Sequence, residues 1–264
     1  MQPQYIITGL IVGTLVGLTG MGSGSLMTPI LVLILGVRPS IAVGSDLVYA
    51  TCTKAVGAFE HLRQGQIRFR PALWISAGSV PAAIAGTVLI GSLLRQRSGL
   101  ADHFITHWLG VTLLLAAGLM LVQPLIRRRL WPQDPPPVLH PRLKALRRIR
   151  PALLVVVGAT VGFLVGLTSV GAGSLVMVAL LLFFPRWPMS RRVGTDVLQG
   201  FMLSAAAGAA HWQLGTVSLP IVGQLLLGSI PGVLVGSRLS KVVPEAILRP
   251  VVAGALTLSA VRLR

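Results

Sequence analysis

Asp46, Asp196 and Lys54 carry charge inside long apolar runs, where charge is scarce. Asp46 follows Gly44-Ser45 and Asp196 follows Gly194-Thr195, each at the start of an apolar segment, and Lys54 lies two turns after Asp46 on roughly the same helical face. A charge near the centre of a bilayer costs at least ~2.5–3.5 kcal/mol, so such residues mark a function or a tight structural pair. The carboxylates suit gating, proton relay or orientation of a site; they equally suit helix N-caps, where Asp is among the preferred residues. Lys54 suits a contact to an anion. It equally suits a structural pair with Asp46 or Glu60, or a side chain that reaches back to the interface. His61 and His211 close matched segments, where an imidazole either moves a proton near neutral pH or caps the helix with a polar group.

The second chemical feature is a glycine-rich stretch, Gly17-Leu-Thr-Gly-Met-Gly-Ser-Gly-Ser25, which returns as Gly166-Leu-Thr-Ser-Val-Gly-Ala-Gly-Ser174. Glycine-broken helices at membrane depth are tolerated where they line a cavity, and paired breaks in two halves of a chain point to a transporter binding site. Freed backbone N–H groups at Gly22, Gly24, Gly171 and Gly173 attract anions. Thr19, Ser23, Ser25, Thr168 and Ser174 add hydroxyl donors. Neutral donors with one lysine favour a small oxyanion over a cation or a sugar, and the two aspartates cut against that unless they are protonated or turned away. No Walker motif, Rossmann fingerprint, metal-ligand cluster or Ser-His-Asp order occurs, so enzymatic chemistry, a cofactor and a resident metal are not expected.

The elements that must position these groups are membrane helices. The 264 residues are 53% hydrophobic and only 11% charged, against about 25% charged for a soluble domain. The apolar blocks reach the ~20 residues of a spanning helix, and the alternation of a membrane barrel is missing. No cleavable signal pattern precedes the first block. Cys52, the single cysteine, excludes an internal disulfide. The net charge of +17 does not imply nucleic acid, because the basic residues lie in short loops between apolar blocks. Apolar segments are expected at 5–18, 26–37, 41–59, 71–94 and 104–126. The first two form either a re-entrant hairpin of half-helices or two tilted helices joined by a glycine turn. Residues 127–150, with Asp134-Pro-Pro-Pro137 and eight Lys/Arg, read as a surface tether that forms helix poorly. They separate a first membrane repeat, 1–126, from a second, 151–264.

The halves repeat each other. Gly9, Gly13, Gly17, Gly22, Gly24 and Ser25 match Gly158, Gly162, Gly166, Gly171, Gly173 and Ser174 at an offset of 149 residues. At an offset of 150, Gly44 and Asp46 match Gly194 and Asp196, His61 matches His211, Gly65 matches Gly215, and Gly78-Ser-Val-Pro81 matches Gly228-Ser-Ile-Pro231. Lys54 has no charged twin, since Ser204 takes its place. Each repeat makes five crossings, or three if its first pair is re-entrant. Both counts are odd, so the repeats should insert with opposite orientation. Of 23 Lys and Arg, only Arg38, Arg95, Arg97, Arg262 and Arg264 fall opposite the linker, and Lys54 falls within the membrane. Positive charge marks the cytoplasmic side, so the linker should be cytoplasmic and both termini outside.

Gly13-x3-Gly17-Leu-Thr-Gly-x-Gly-x-Gly-Ser-Leu26 with Pro29, then Gly44-Ser-Asp-Leu47, Thr53-Lys54, Gly57 and His61-x3-Gly65, resembles the TauE/SafE sulfite exporter family. The resemblance covers nearly the whole chain except the linker. It implies a multi-spanning carrier of sulfite, thiosulfate or organosulfonates in a bacterial plasma membrane. Ser169 and Ala172 stand where the family commonly has glycine.

The reading is an all-α membrane protein of two inverted repeats that moves a small sulfur-containing anion by alternating access, most simply as an exporter, with an anion channel and proton-coupled uptake as alternatives. Substrate contacts are expected at Thr19, Gly22, Ser23, Gly24, Ser25, Lys54, Thr168, Gly171, Gly173 and Ser174, and gating or proton coupling at Asp46, Asp196, His61 and His211. The partners are the anion, the lipid bilayer and protons. A cysteine substituted at Pro136 should react with an impermeant maleimide only from the cytoplasmic side; labelling of intact cells from outside would reverse the orientation.

Overall fold

Proline and glycine punctuation sets the boundaries of the two helices that carry Asp46 and Asp196. A computed structural model describes residues 3–19, 26–130, 141–239 and 245–262, and among these the regular structure is entirely α-helical. The helices are α1 Pro3–Thr19, α2 Met27–Leu33, α3 Pro39–Arg63, α4 Phe69–Gln96, α5 Ser98–Leu130, α6 Pro141–Thr168, α7 Ala172–Phe183, α8 Met189–Gln213, α9 Leu219–Leu239 and α10 Glu245–Arg262. Pro39 occupies the first turn of α3, where its missing N–H leaves no bond unmade. Pro188 precedes α8 in an extended conformation. Both helices end on the same device. Gly65 and Gly215 adopt φ of 65° and 71°. Beyond them, Gln66 N–H bonds the His61 carbonyl at 3.0 Å and Thr216 N–H bonds the His211 carbonyl at 3.1 Å. This is a Schellman closure, which requires a left-handed residue best supplied by glycine. It accounts for the repeated His-x3-Gly spacing.

Every long helix finds its main partner in the other half of the chain. α1 packs on α9, α4 on α6, α3 on α8 and α5 on α10. Small residues allow the first two pairs to approach closely. A Cβ at Gly9 would collide with the Leu225 carbonyl, and one at Gly228 with the Ile6 carbonyl. The α4–α6 pair repeats the pattern, with Gly158 against the Ile75 carbonyl and Gly78 against the Val155 carbonyl. The small-residue ladder Gly9, Gly13 and its copy Gly158, Gly162 therefore serve helix packing, upstream of the breaks.

The burial pattern is that of a protein in lipid. Ile7, Ile11, Val56, Leu73, Val88, Val156, Leu227 and Leu234 face outward, while Thr28, Ser45, Asp46, Ser79, Gln199, Ser204 and His211 are buried. Among the described residues, four helices are long and apolar enough to cross a membrane: Phe69–Gln96, Gly99–Gln123, Ile149–Thr168 and Leu219–Gly236. α7, with 12 residues, is about 18 Å long at 1.5 Å per residue and cannot span a ~30 Å core.

Two expectations change. The segment before the second break is not a half-helix, because α6 runs 28 residues from Pro141. The tether correspondingly forms helix at both ends: α5 continues to Leu130 and α6 begins at Pro141. Local composition missed this because each end extends an apolar helix that is already nucleated, and adding a turn to a formed helix is far easier than starting one. Residues 131–140, including Asp134-Pro-Pro-Pro137, lie outside the described residues.

The packing predicts a sharp contrast between glycines. Gly78→Ala should destabilise the detergent-solubilised protein by about 1–3 kcal/mol, as overpacking does, and lower its melting midpoint. Gly118→Ala, where no atom lies within 4 Å of the added carbon, should leave the midpoint unchanged. Equal behaviour of the two would contradict the α4–α6 interface.

Candidate functional site

α3 and α8 cross in the interior as an antiparallel pair. Positions that meet run in opposite order along the two helices: Gly44 meets Thr216, Leu47 meets Gly208, Lys54 meets Gly200, Gly57 meets Val197, and Gln66 meets Gly194. Lys54 and its counterpart Ser204 therefore fall near the centre of the crossing. A Cβ built on Gly200 would stand 2.8 Å from the Lys54 Nζ, so the glycine makes room for the ammonium across the face of α8.

Asp46 and Asp196 flank that centre. Neither is an N-cap, because α3 starts at Pro39 and α8 at Met189, placing each aspartate about two turns inside its helix. The matched Gly-Ser-Asp and Gly-Thr-Asp sequences hide the earlier start, which the prolines mark. The two carboxylates have different surroundings. Asp46 is fully buried, and its Oδ2 accepts from Thr28 Oγ1 at 2.5 Å and Ser169 Oγ at 2.9 Å. Asp196 is half-buried, and its Oδ1 is enclosed without a hydrogen-bond partner. Lys54 makes no ion pair within 4 Å among the described residues.

The second glycine break meets this crossing. α6 ends at Thr168 and α7 begins at Ala172. Between them Ser169 has φ of 61° and Gly171 φ of 101°. A non-glycine residue in the left-handed region is uncommon; here the hydroxyl bond from Ser169 to Asp46 accompanies it. A small cavity of about 10 Å³ lies between break and crossing, with room for about one water. Leu47, Ala50 and Lys54 line it from α3, Leu203 and Ser204 from α8, and Ser169, Gly171 and Gly173 from the break, with Val165 and Ala172 beside them. The Ser174 hydroxyl, one residue further along α7, is enclosed without a partner.

The other expected site residues distribute as follows. Thr168 is buried but engaged: its hydroxyl donates to the Leu164 carbonyl at 2.8 Å, accepts from Val170 N–H at 3.3 Å, and does not line the cavity. Thr19 ends α1. Gly22, Ser23, Gly24 and Ser25 lie outside the described residues. His61 bonds the Gln66 side chain at 2.7 Å. His211 is fully buried, with Nδ1 2.9 Å from the Thr216 hydroxyl and Nε2 3.0 Å from the Gly166 carbonyl. A carbonyl only accepts, so Nε2 carries the proton, and His211 ties the end of α8 to the last turn before the break. Neither histidine lines the cavity. Ser169, Ser204, Thr28 and Gly200 were not singled out as site residues. The signal for Ser169 and Ser204 was present, since each replaces its repeat's matching residue, Gly20 and Lys54.

Comparison with known proteins agrees with this architecture. The family model described as "Sulfite exporter TauE/SafE" matches residues 5–263. The chain is 39% identical over 265 residues to "Probable membrane transporter protein YjnA" of Bacillus subtilis (strain 168), covering 100% of both chains. It is 22% identical over 259 residues to "Probable membrane transporter protein YdhB" of the same organism, covering 96% of this chain and 98% of that one. No solved structure matches the chain. A full-length match of this kind makes the protein a multi-pass membrane transporter and not an enzyme, and the chain belongs to the TauE/SafE family.

Proposed function

We propose that the protein is a secondary carrier for a small sulfur-containing anion such as sulfite, thiosulfate or an organosulfonate, and that the cavity at the α3–α8 crossing is its binding site. One observation carries this reading: Lys54 and Ser204 line one cavity together with the break at Ser169–Gly173. The amino end of α7 presents unpaired backbone N–H groups and a partial positive charge to the same space. Ammonium and helix end are both donors, and together they fit an oxyanion. The printed name of the matching family suggests which oxyanion.

The repeat supplies a route for movement. We read the two halves as inverted, because each has an odd number of crossings and their partner helices exchange across the molecule. By sequence, the first break, Gly20–Ser25, is then the counterpart of the second. A cavity of about 10 Å³ is too small for a sulfur oxyanion, so this conformation corresponds to a closed state between two open ones. Alternating access would consist of opening one break and then the other about the crossing. An uncoupled carrier would export the anion, helped by the inside-negative potential; a proton-coupled one could drive uptake. The charge bias of the loops supports a cytoplasmic linker and both ends outside.

Proteoliposomes loaded with thiosulfate test the reading. The wild type should show saturable flux that is stimulated by anion on the opposite side, which a channel would not show. Lys54→Ala should weaken thiosulfate binding by roughly 10- to 150-fold, the loss of one charge-assisted contact worth ~1.5–3 kcal/mol, while leaving the protein folded. Gly171→Leu should block transport, since its φ of 101° strains any side chain. Unchanged binding in folded Lys54→Ala would remove the lysine from the site.

A further inference from the structure

The two halves are matched in sequence but not in the surroundings of their carboxylates. Asp46 is held by two hydroxyls, Thr28 from its own half and Ser169 from the other. At the offset of the breaks, the positions that match Thr28 and Ser169 are Met177 and Gly20. Neither has a hydroxyl, so those two positions offer Asp196 no matching bonds; the Oδ1 atoms of both aspartates are enclosed without a partner, and the difference lies in the two hydroxyls on the Asp46 Oδ2. Lys54 breaks the symmetry in the opposite sense. Its Nζ lies against Gly200, one turn along α8 from Asp196, while Asp46 stands two turns away along α3.

We infer that Asp196 is the counter-ion that holds Lys54 in the empty carrier and that it takes up a proton when the anion engages Lys54, so that each anion crosses with one proton. The inference rests on the anion-carrier reading. An anion that draws the Lys54 ammonium toward the break leaves the Asp196 carboxylate facing a low-dielectric interior without its cation. An isolated buried carboxylate is neutralised more cheaply than it is solvated there, and the proton comes from water on whichever side is open. Asp46 remains a latch, because its two hydroxyl bonds hold the end of α6 and the start of α2 to α3.

The other groups around Asp196 leave Lys54 as its partner. α8 packs on α3, α4, α7 and, more lightly, α6. α7 has no charged residue, and those of α4 and α6 lie toward their ends, at Arg70, Arg95 and up to Arg150. On α3, Asp46 and Lys54 face the crossing, Tyr49 packs with Val12 and Met27, Glu60 bonds Gln64, His61 bonds Gln66 and Arg63 lies over the Phe59 ring; in the loop beyond, the Arg68 backbone N–H bonds the hydroxyl of Thr195, next to Asp196. On α8 itself, Arg192 reaches the carbonyls of Phe184 and Pro185. His211 lies about 22 Å further along at 1.5 Å per residue.

Proton uptake on binding decides the matter. Purified protein in weak buffer near neutral pH, with a pH indicator, is titrated with thiosulfate and separately with sulfoacetate, both fully ionised there. The wild type should take up a proton as either anion binds. Asp196→Asn should bind without proton uptake, and in proteoliposomes it should lose stimulation by a pH gradient. Asp102→Asn, away from the crossing in a pair with Arg38, should keep both responses. Binding to the wild type without uptake overturns the inference and leaves the carrier reading standing, whereas no binding of either anion removes the carrier reading. Should Asp196→Asn fail to fold, Asp196→Ser takes its place, and proton uptake that persists in that folded variant overturns the assignment.

Discussion

A lysine ammonium inside an apolar bundle must answer to a negative charge, and much of this molecule is arranged around that requirement. Lys54 stands near the centre of the α3–α8 crossing, with Asp46 and Asp196 flanking it and no ion pair within 4 Å among the described residues. The crossing itself depends on Gly200, which makes room for the ammonium, and on the paired closures at Gly65 and Gly215 that end both helices on the same geometry. A tight salt bridge here would stabilise one conformation strongly. A looser arrangement leaves the ammonium able to exchange one anionic partner for another, which is what a carrier needs of a binding charge.

The glycines divide into two sets with separate work. Those at positions 9, 78, 158 and 228 let helices of opposite halves approach until backbone meets backbone. Gly171 instead adopts a left-handed conformation that ends one helix and aims the next at the cavity. His211 couples the two sets: its ring joins the end of α8 to the Gly166 carbonyl, one turn before the break. Movement of the break and movement of α8 are thereby linked through one buried side chain.

Much of this was legible from sequence. Apolar length and low charge declared a helical membrane protein, and the glycine, aspartate and histidine motifs declared its family. Ser169 escaped notice because its value comes from meeting Asp46, 123 residues away, a distance at which local pattern has no reach. A cap role stayed open for the aspartates for a related reason: the apolar run appears to begin beside them, while the helix begins at Pro39 or Met189. The ends of the linker looked too basic for helix, yet continue the helices they adjoin. The difference between Asp46 and Asp196 is written in the sequence as Thr28 and Ser169 against Met177 and Gly20, but it acquires meaning only when the breaks and the crossing are seen to touch.

The central claim is that Lys54 faces an anion at the crossing. The most direct measurement is the thermal melting of the purified protein with sulfite, thiosulfate, sulfate, taurine, sulfoacetate, chloride and sodium salts compared at equal ionic strength, for the wild type and for Lys54→Ala. Stabilisation by one or more sulfur oxyanions in the wild type, lost in the variant, is the result this account predicts. Stabilisation by sodium alone, or an anion effect that survives removal of the ammonium, would contradict it and move the primary site to the aspartates.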